Sequence, residues 1–147
     1  MLVSVTRLRV RRWWFLPSFA LHTWRVARQV QGSAGFLGGA FGLELPFCFW
    51  TVTVWTDEQS MRGFRNHDAH MKAMPRLRHW CDEASYIHWQ QDGASTPTLA
   101  SAFERLRDIG KTSKVNHPSA AHAAGRTTAD KAPKSAGGAL SPRRARP

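Results

Sequence analysis

Cysteine is scarce in this chain, where Cys48 and Cys81 are the only two among 147 residues. Two cysteines this far apart in sequence argue against a disulfide framework or a zinc knuckle, so both thiols are expected to be reduced. Long apolar runs are also missing, since no stretch reaches the roughly 18 residues that a membrane-spanning helix needs. We therefore expect a cytoplasmic protein with no membrane partner.

Acidic residues are missing from positions 1–43, and Glu44 is the first in the chain. Arginines at positions 7, 9, 11 and 12 precede the apolar residues 13–16. This order is typical of targeting peptides, but Pro17 interrupts the apolar patch and no A-x-A-like cleavage site follows. A first strand with an exposed basic turn explains the same residues. The sequence leaves both interpretations open.

Glycine-rich motifs that bind phosphates are missing too. No glycine-rich loop is followed by Lys-Ser or Lys-Thr, and neither a dinucleotide fingerprint nor a G-x-S-x-G elbow occurs. The glycines at 35–39 have the wrong spacing for a phosphate loop. These absences argue against a nucleotide cofactor.

Apolar, aromatic and basic residues are abundant. Apolar residues make up 42% of the chain, with 7 Trp and 8 Phe, which suffices for the core of one domain. The net charge of +11 is unevenly distributed, because residues 96–147 carry 10 basic and 3 acidic side chains, 10 − 3 = +7. Such a tail predicts weak, non-specific contact with polyanions and does not identify a partner.

Alternating and helical patterns predict the regular elements. Val3 and Val5 share one face of a first strand, and β-branched and aromatic residues make 48–55 the clearest strand. The glycine-rich segment 35–45 is typical of a bent, edge-like strand with a bulge. The prediction comprises strands at 2–8, 35–45, 48–55 and 84–91, and helices at 17–31, within 56–77 and at 98–109.

The helical region within 56–77 has three signals in its sequence. Thr56 and Gln59 have the spacing of a capping box, which predicts the start of the helix. The polar residues 66–68 predict a break. Pro75 lacks a backbone donor and disfavours helical geometry in the residue before it, so it predicts a kink or a restart.

The element order β-α-β-β-α-β predicts an α+β domain of the ferredoxin-like type, in which four antiparallel strands carry both helices on one face. We assign this domain to residues 1–92. Residues 93–109 form a linker and a short amphipathic helix, which docks either on the domain or on a partner. Residues 110–147 contain no Phe, Tyr or Trp, and this basic tail is predicted to be disordered.

The passage from the third strand into the second helical region resembles the antibiotic-biosynthesis monooxygenase-like domains of the dimeric α+β barrel superfamily. The resemblance covers residues 1–92 and implies a homodimer whose two sheets form a closed barrel. A homodimer would also bury the second apolar face of the sheet, which the helices leave uncovered. The residues that carry the resemblance are 49–55 (Phe-Trp-Thr-Val-Thr-Val-Trp), Asp57, Glu58, Met61, Phe64, the stretch 66–70 and the glycine-rich 35–39.

Proteins of this kind include cofactor-free oxygenases of aromatic polyketides, haem-degrading enzymes, a carotenoid-oxidising branch and many without an assigned reaction. The resemblance implies a monooxygenase-like protein that acts on a small aromatic or polyene-like molecule without a flavin or other cofactor. Haem-degrading members have an asparagine, a tryptophan and a histidine where this chain has Thr6, Phe64 and Met74, which argues against haem degradation of that kind. Haem binding stays open, because His70 lies one helical turn before Met74.

His70 is the candidate catalytic residue, since an imidazole on the apolar side of the second helical region can move a proton or bind a ligand. A core histidine bonded to a backbone carbonyl also explains its position. His67 and His70 have an H-x-x-H spacing, but zinc needs further ligands. We therefore predict no metal site, with one exposed and one inward histidine.

Further side chains are candidates to line a ligand pocket between the helices and the sheet. Tyr86 and His88 share a face of the last strand, and two other strands carry same-face pairs of Ser and Thr. Because the strand register cannot be read from the sequence, ordinary cross-strand packing stays the alternative. The candidate ligand-binding residues are Thr6, Trp55, Phe64, Arg65, Asn66, Tyr86 and His88, and the same-face pairs are Ser4 with Thr6 and Thr51 with Thr53.

Two other functions stay open beside the monooxygenase-like one. The first is a non-catalytic homodimer that binds a small ligand or haem. The second is an interaction protein whose basic tail binds nucleic acid or an acidic partner.

Overall fold

Within residues 1–143, six strands form one antiparallel sheet in the order β5-β4-β1-β3-β2-β6. A computed structural model describes residues 1–143. The α+β class and the antiparallel sheet are as predicted, but the sheet has six strands where four were expected. The strands are β1 Leu2–Val10, β2 Phe36–Glu44, β3 Cys48–Trp55, β4 Cys81–Gln90, β5 Lys111–Thr112 and β6 Ser135–Leu140. The helices are α1 Leu16–Gln31, α2 Glu58–Arg65, α3 Asp68–Trp80, α4 Leu99–Ile109 and α5 Ala120–Ala123, and a short 3-10 turn at Trp13–Phe15 leads into α1.

Strand β1 lies inside the sheet, paired with β3 on one side and β4 on the other. Its alternation places Val3 and Val5 in the core on one face and Ser4 and Thr6 on the other. Arg7, one of the arginines of the proposed targeting segment, is buried within this strand. The fold therefore supports the interpretation of this segment as a first strand.

The glycine-rich strand β2 is not at the edge of the sheet, because β6 pairs with its outer side. The predicted bulge is present, since the register with β3 shifts between Phe36 and Gly38. Gly39 allows a close backbone approach: a Cβ atom at this position would lie 2.3 Å from the carbonyl oxygen of Val52. A side chain at position 39 would therefore disrupt the pairing of β2 and β3.

The chain between β3 and β4 forms two helices separated at the predicted break, but its start and its course differ from the prediction. Asp57, not Thr56, caps α2, because the Asp57 carboxylate accepts a 2.7 Å hydrogen bond from the backbone N–H of Ser60. Pro75 does not restart the helix, since α3 continues through it. Pro75 has no backbone N–H to donate to the carbonyl one helical turn earlier. Because Pro75 is exposed, water can bond that carbonyl instead.

Helix α4 packs on the face of the sheet opposite α1, α2 and α3, which settles that this helix docks on its own chain. It covers in one chain the face that a partner sheet was expected to bury. The physical argument for a homodimer therefore no longer applies, and the homodimer stays a prediction that rests on the resemblance alone. The buried core on this face consists of Ala102, Phe103 and Leu106 of α4 with Val3, Val5, Trp50, Val52, Val54 and Ile87 of the sheet.

The segment after Gly110 differs from the disordered tail that its composition predicts. Strand β5 pairs with β4, strand β6 pairs with β2, and Val115 and Leu140 are buried. Backbone hydrogen bonds to both edges of the sheet order this segment, and such bonds do not require aromatic residues. The sheet therefore draws on residues beyond the predicted 1–92 domain. Positions 144–147 of the predicted tail lie outside the described residues.

A charged cluster lies on the α4 side of the sheet. Arg7, whose side chain is 3% exposed, donates hydrogen bonds of 2.9 and 3.1 Å to the two carboxylate oxygens of Glu44 and one of 2.6 Å to Glu83. Burial alone would raise the pKa of Glu44, but the hydrogen bonds from Arg7 and Trp50 outweigh burial and lower it. Because the positive charge of Arg7 is paired with the carboxylates, these charges can lie on a surface that is covered from solvent.

Candidate functional site

A cavity of about 370 Å³ lies between the sheet and helices α1, α2 and α3. A volume of this size falls in the range of small-molecule binding sites. Strand side chains, mostly polar, form the floor of the cavity, whereas helix side chains, mostly apolar, form its roof. The two surfaces together suit a flat ligand with an apolar body and a few polar groups.

The floor consists of two rows of side chains that cross β3, β1 and β4. In one row, Thr6 lies opposite Thr51 on β3 and opposite Tyr86 on β4. The strand register, which the sequence does not contain, thus brings all of the predicted same-face pairs together on the cavity. The second row consists of Thr53, Ser4 and His88.

His70 reaches the cavity from the first turn of α3. Its Nδ1 lies 3.0 Å from the backbone carbonyl oxygen of Arg65, so Nδ1–H donates to that carbonyl and Nε2 keeps its lone pair. Burial lowers the pKa of His70; the carbonyl hydrogen bond opposes this effect, and the charge of Arg65 adds to it. The imidazole is therefore neutral at pH 7 and can accept a proton at Nε2.

Gln29 of α1 fixes the backbone around His70. Its side-chain amide donates to the carbonyl oxygens of Phe64 and His67 at 3.0 and 2.9 Å, and its side-chain oxygen accepts the backbone N–H of His70 at 2.9 Å. These three bonds tie α1 to the junction between α2 and α3. Gln29 belongs to none of the sequence motifs, and its place on α1 gave no signal that it would bond across to another helix.

Trp55 and Phe64 form an aromatic wall at the cavity, with ring centroids 5.2 Å apart. Trp55 is fully buried, and its Nε1 donates a 3.0 Å hydrogen bond to Oγ1 of Thr53. Phe64 also contacts the ring of His70, at 4.9 Å between centroids. Trp55 thus serves both as a core residue and as part of the cavity lining.

The two polar residues predicted at the end of α2 have different places. Arg65 lines the cavity while its side chain reaches solvent. Burial lowers the pKa of His88 on the floor, and the positive charge of Arg65 lowers it further. Asn66 does not line the cavity: it is exposed and ends α2, where its backbone N–H donates to the carbonyl of Arg62 at 3.0 Å. The structure therefore does not support Asn66 as a ligand contact.

A family model described as a domain of unknown function, DUF3291, matches residues 23–122, from α1 to α5. This chain belongs to the DUF3291 family. No curated protein matches the DUF3291 chain.

Solved structures similar to the DUF3291 chain include an antibiotic biosynthesis monooxygenase, at 8% identity and a TM-score of 0.57 over 63% of this chain and 100% of that one. SnoaB, a cofactor-independent oxygenase from Streptomyces nogalater, is 17% identical, with a TM-score of 0.52 over 63% and 93% of the two chains. A conserved protein from Methanosarcina mazei Go1 is also 17% identical, with a TM-score of 0.55 over 62% and 92%. These likenesses confirm the resemblance to antibiotic biosynthesis monooxygenase-like proteins, and at these identities they show the fold alone.

The two histidines of the H-x-x-H pair do not converge in the DUF3291 structure. Nδ1 of His67 donates to the carbonyl of Gly63 at 2.6 Å on the surface, whereas His70 faces the cavity. One histidine is exposed and the other points inward, as predicted. Within residues 1–143, no group of three or more His, Cys, Asp or Glu side chains is placed to hold a metal ion.

If a haem group bound in the cavity, His70 would be one of the lining side chains able to hold its iron, beside His88, Tyr86 and Met74. The Nδ1–H of His70 is held by the carbonyl of Arg65, which leaves Nε2 unprotonated, the arrangement common for metal-binding histidines. Thr6, Phe64 and Met74 all line the cavity, but none has the chemistry of the asparagine, tryptophan and histidine of haem-degrading relatives. The residues therefore lack the chemistry of haem degradation of that kind, whereas His70 offers a possible ligand for iron.

The pocket between the helices and the sheet was expected, and Phe64 of its roof was predicted, but the α1 side chains of the roof were not among the predicted residues. Leu140 and Ser113 also reach the cavity from the C-terminal segment, which was predicted to be disordered. The roof residues of α1 are Phe19, Thr23, Val26, Ala27 and Val30, and those of α2 and α3 include Met61, Phe64, Met74 and Leu77.

Proposed function

We propose that this DUF3291 protein is a monooxygenase-like enzyme that oxidises a small aromatic or polyene-like molecule without a flavin. The observation that carries the proposal is a cavity in which an apolar roof faces a hydroxyl-rich floor, with a neutral imidazole and a guanidinium on its lining. The apolar body of the substrate would lie against the roof, and its oxygen atoms would reach the floor. The fold of a cofactor-independent oxygenase supports the reaction class.

His70 acts as the general base in this proposal. Nε2 takes a proton from the substrate, and the resulting carbanion or phenolate donates electrons to dioxygen. When a ring methylene is oxidised to a ketone, one methylene group and one dioxygen molecule give one carbonyl group and one water molecule, so the substrate supplies all the electrons. Arg65, on the cavity lining, provides a positive charge for the anion.

Replacing His70 with alanine should lower substrate-dependent oxygen uptake by about 100-fold or more, because the proton acceptor is lost. Uptake is measured with purified protein and a panel of polycyclic phenols and polyenes. His67→Ala is the matched control, since His67 is exposed and bonded only to a carbonyl on the surface. Wild-type uptake should be constant above pH 6.5, the ordinary pKa of histidine, and should fall only at lower pH, because burial lowers the pKa of His70.

Equal uptake by His70→Ala and wild type would contradict the role of His70. Absence of uptake with every compound, together with a haem Soret shift that His70→Ala abolishes, would instead support the non-catalytic ligand-binding alternative. That alternative is favoured by the tautomer of His70, which leaves Nε2 free for iron. Polyanion contact through the tail, the homodimer and the cytoplasmic location stay predictions.

A further inference from the structure

A solvent-facing apolar stripe runs along the 3-10 turn and α1. Positions 14, 17, 21, 24 and 28 follow the spacing of three and four residues that keeps side chains on one side of a helix. All five are exposed, and the first four are Trp14, Pro17, Leu21 and Trp24. We call these four residues, with their exposed neighbour Trp13, the tryptophan stripe.

The tryptophan stripe contains the tryptophans that are exposed and not packed in the core. Trp13, Trp14 and Trp24 are 66%, 52% and 55% exposed, although tryptophan is on average largely buried. The other four tryptophans are buried or half-buried. Because the opposite side of α1 already lines the cavity, packing does not account for the stripe, and contiguous exposed apolar surface marks an interaction site.

Arginines accompany the tryptophan stripe. The guanidinium of Arg12 lies 5.7 Å from the ring centroid of Trp14, and that of Arg28 lies 4.9 Å from the ring centroid of Trp24. Arg25 is exposed beside them. Among the described residues these three arginines form no ion pair, and the sequence up to position 43 contains no acidic residue. The surface is therefore both apolar and positively charged.

We propose that the tryptophan stripe and its arginines dock on the surface of an anionic lipid bilayer. Amphipathic tryptophan rings favour the boundary between headgroups and acyl chains, and arginines favour the phosphates of anionic lipids. Pro17 and Leu21 lie between the tryptophans and make the apolar strip continuous. A bilayer would bury the whole strip, whereas stacking on nucleic-acid bases would require only the aromatic rings.

The docking is peripheral, because no helix within residues 1–143 is long and apolar enough to cross a bilayer. Because long apolar runs are scarce, we expected no membrane partner. That scarcity argues only against a membrane-spanning helix and does not argue against binding at the membrane surface. Docking would hold α1 at the bilayer, which is a source of apolar ligands. The other side of α1 carries Val26, Ala27 and Val30 of the cavity roof. The proposal goes beyond the oxygenase function and stands whether or not a reaction occurs.

Vesicle co-sedimentation of the full chain tests the proposal. The protein should bind vesicles of phosphatidylcholine mixed with phosphatidylglycerol, should bind pure phosphatidylcholine far more weakly, and should dissociate as salt rises. Trp13→Ser combined with Trp24→Ser should lower the partition coefficient about tenfold or more. Each of Arg25→Gln and Arg28→Gln should lower it about fivefold.

Matched controls lie on α4, across the sheet from α1. Ile109→Ser removes an apolar side chain that is 64% exposed, and Arg105→Gln with Arg107→Gln removes two exposed charges; both should bind vesicles like wild type, and all variants should melt like wild type. Equal binding by stripe and control variants would overturn the proposal. So would stripe-dependent binding of a single-stranded oligonucleotide, or stripe-dependent self-association, in the absence of vesicle binding.

Discussion

Replacing Arg7 with methionine is expected to lower the free energy of unfolding by about 3–5 kcal/mol. The side chains of Arg7 and Glu83 are 3% and 10% exposed, so water cannot replace the hydrogen bonds that are lost. The variant leaves Glu83 and Glu44 on a covered face of the sheet without their common partner. Urea unfolding monitored by circular dichroism measures the change.

Arg62→Met is the matched control for this variant. Arg62 pairs with Glu58 on the surface of α2, where both side chains are more than half exposed, so its loss should cost only about 0.3–0.5 kcal/mol. A loss below about 1 kcal/mol for Arg7→Met would contradict the account by showing that the cluster is solvated.

The same cluster gives stability a pH dependence with a definite sign. The pKa of Glu44 in the folded protein lies below its ordinary value of 4.5. A carboxylate with a lowered folded-state pKa contributes stability that is present above its unfolded-state pKa and is lost as pH falls through the folded-state pKa. Wild-type stability should therefore decline below pH 4.5, and Arg7→Met should show a smaller decline.

Leu106→Ala is expected to lower the free energy of unfolding by about 2–5 kcal/mol. Leu106 is fully buried where α4 meets the sheet, in the same core as Val5 and Trp50. Its removal leaves a cavity between two elements that are far apart in sequence. Denaturant unfolding again provides the measurement.

Ile109→Ala, on the same helix, is the control, because Ile109 is 64% exposed and its loss should change stability by less than about 0.5 kcal/mol. Small and equal effects of the two substitutions would mean that α4 does not cover the sheet. That result would return the open face to a partner and restore the physical argument for a homodimer.

Local patterns were sufficient to predict the elements of residues 1–109. The β-branched run of β3 and the spacing of apolar residues in α1 and α4 depend only on neighbouring residues, so the sequence contains them. Strands β5 and β6 could not be predicted, because their order comes from backbone pairing with distant sheet edges. The cap of α2 was misplaced by one residue, since Thr56 and Asp57 are both good capping residues and the geometry of the turn decides between them.

In the candidate site too, local patterns predicted some features and long-range contacts decided the others. Alternation placed Tyr86 with His88, and Thr51 with Thr53, on single strand faces, which the structure confirms. That these faces coincide depends on the register between strands, which no local pattern contains. Gln29 contributes through bonds to residues more than thirty positions away, and such contacts follow from the packing of α1 against α2 and α3.

Binding of the dye 1-anilinonaphthalene-8-sulfonate, an aromatic anion, tests most directly that the cavity under α1 accepts an aromatic ligand. Wild-type protein should enhance the fluorescence of the dye and saturate. Ala27→Phe, which places a ring in the cavity roof, should weaken binding about tenfold or more by steric exclusion.

Two controls separate the cavity from other binding surfaces. Ala100→Phe, at an exposed position on α4, and Trp24→Ser in the tryptophan stripe should both bind the dye like wild type, and near-ultraviolet circular dichroism should show native packing in every variant. Reduced binding in Ala27→Phe alone is the result that the cavity predicts. Unchanged binding in Ala27→Phe would contradict the central claim.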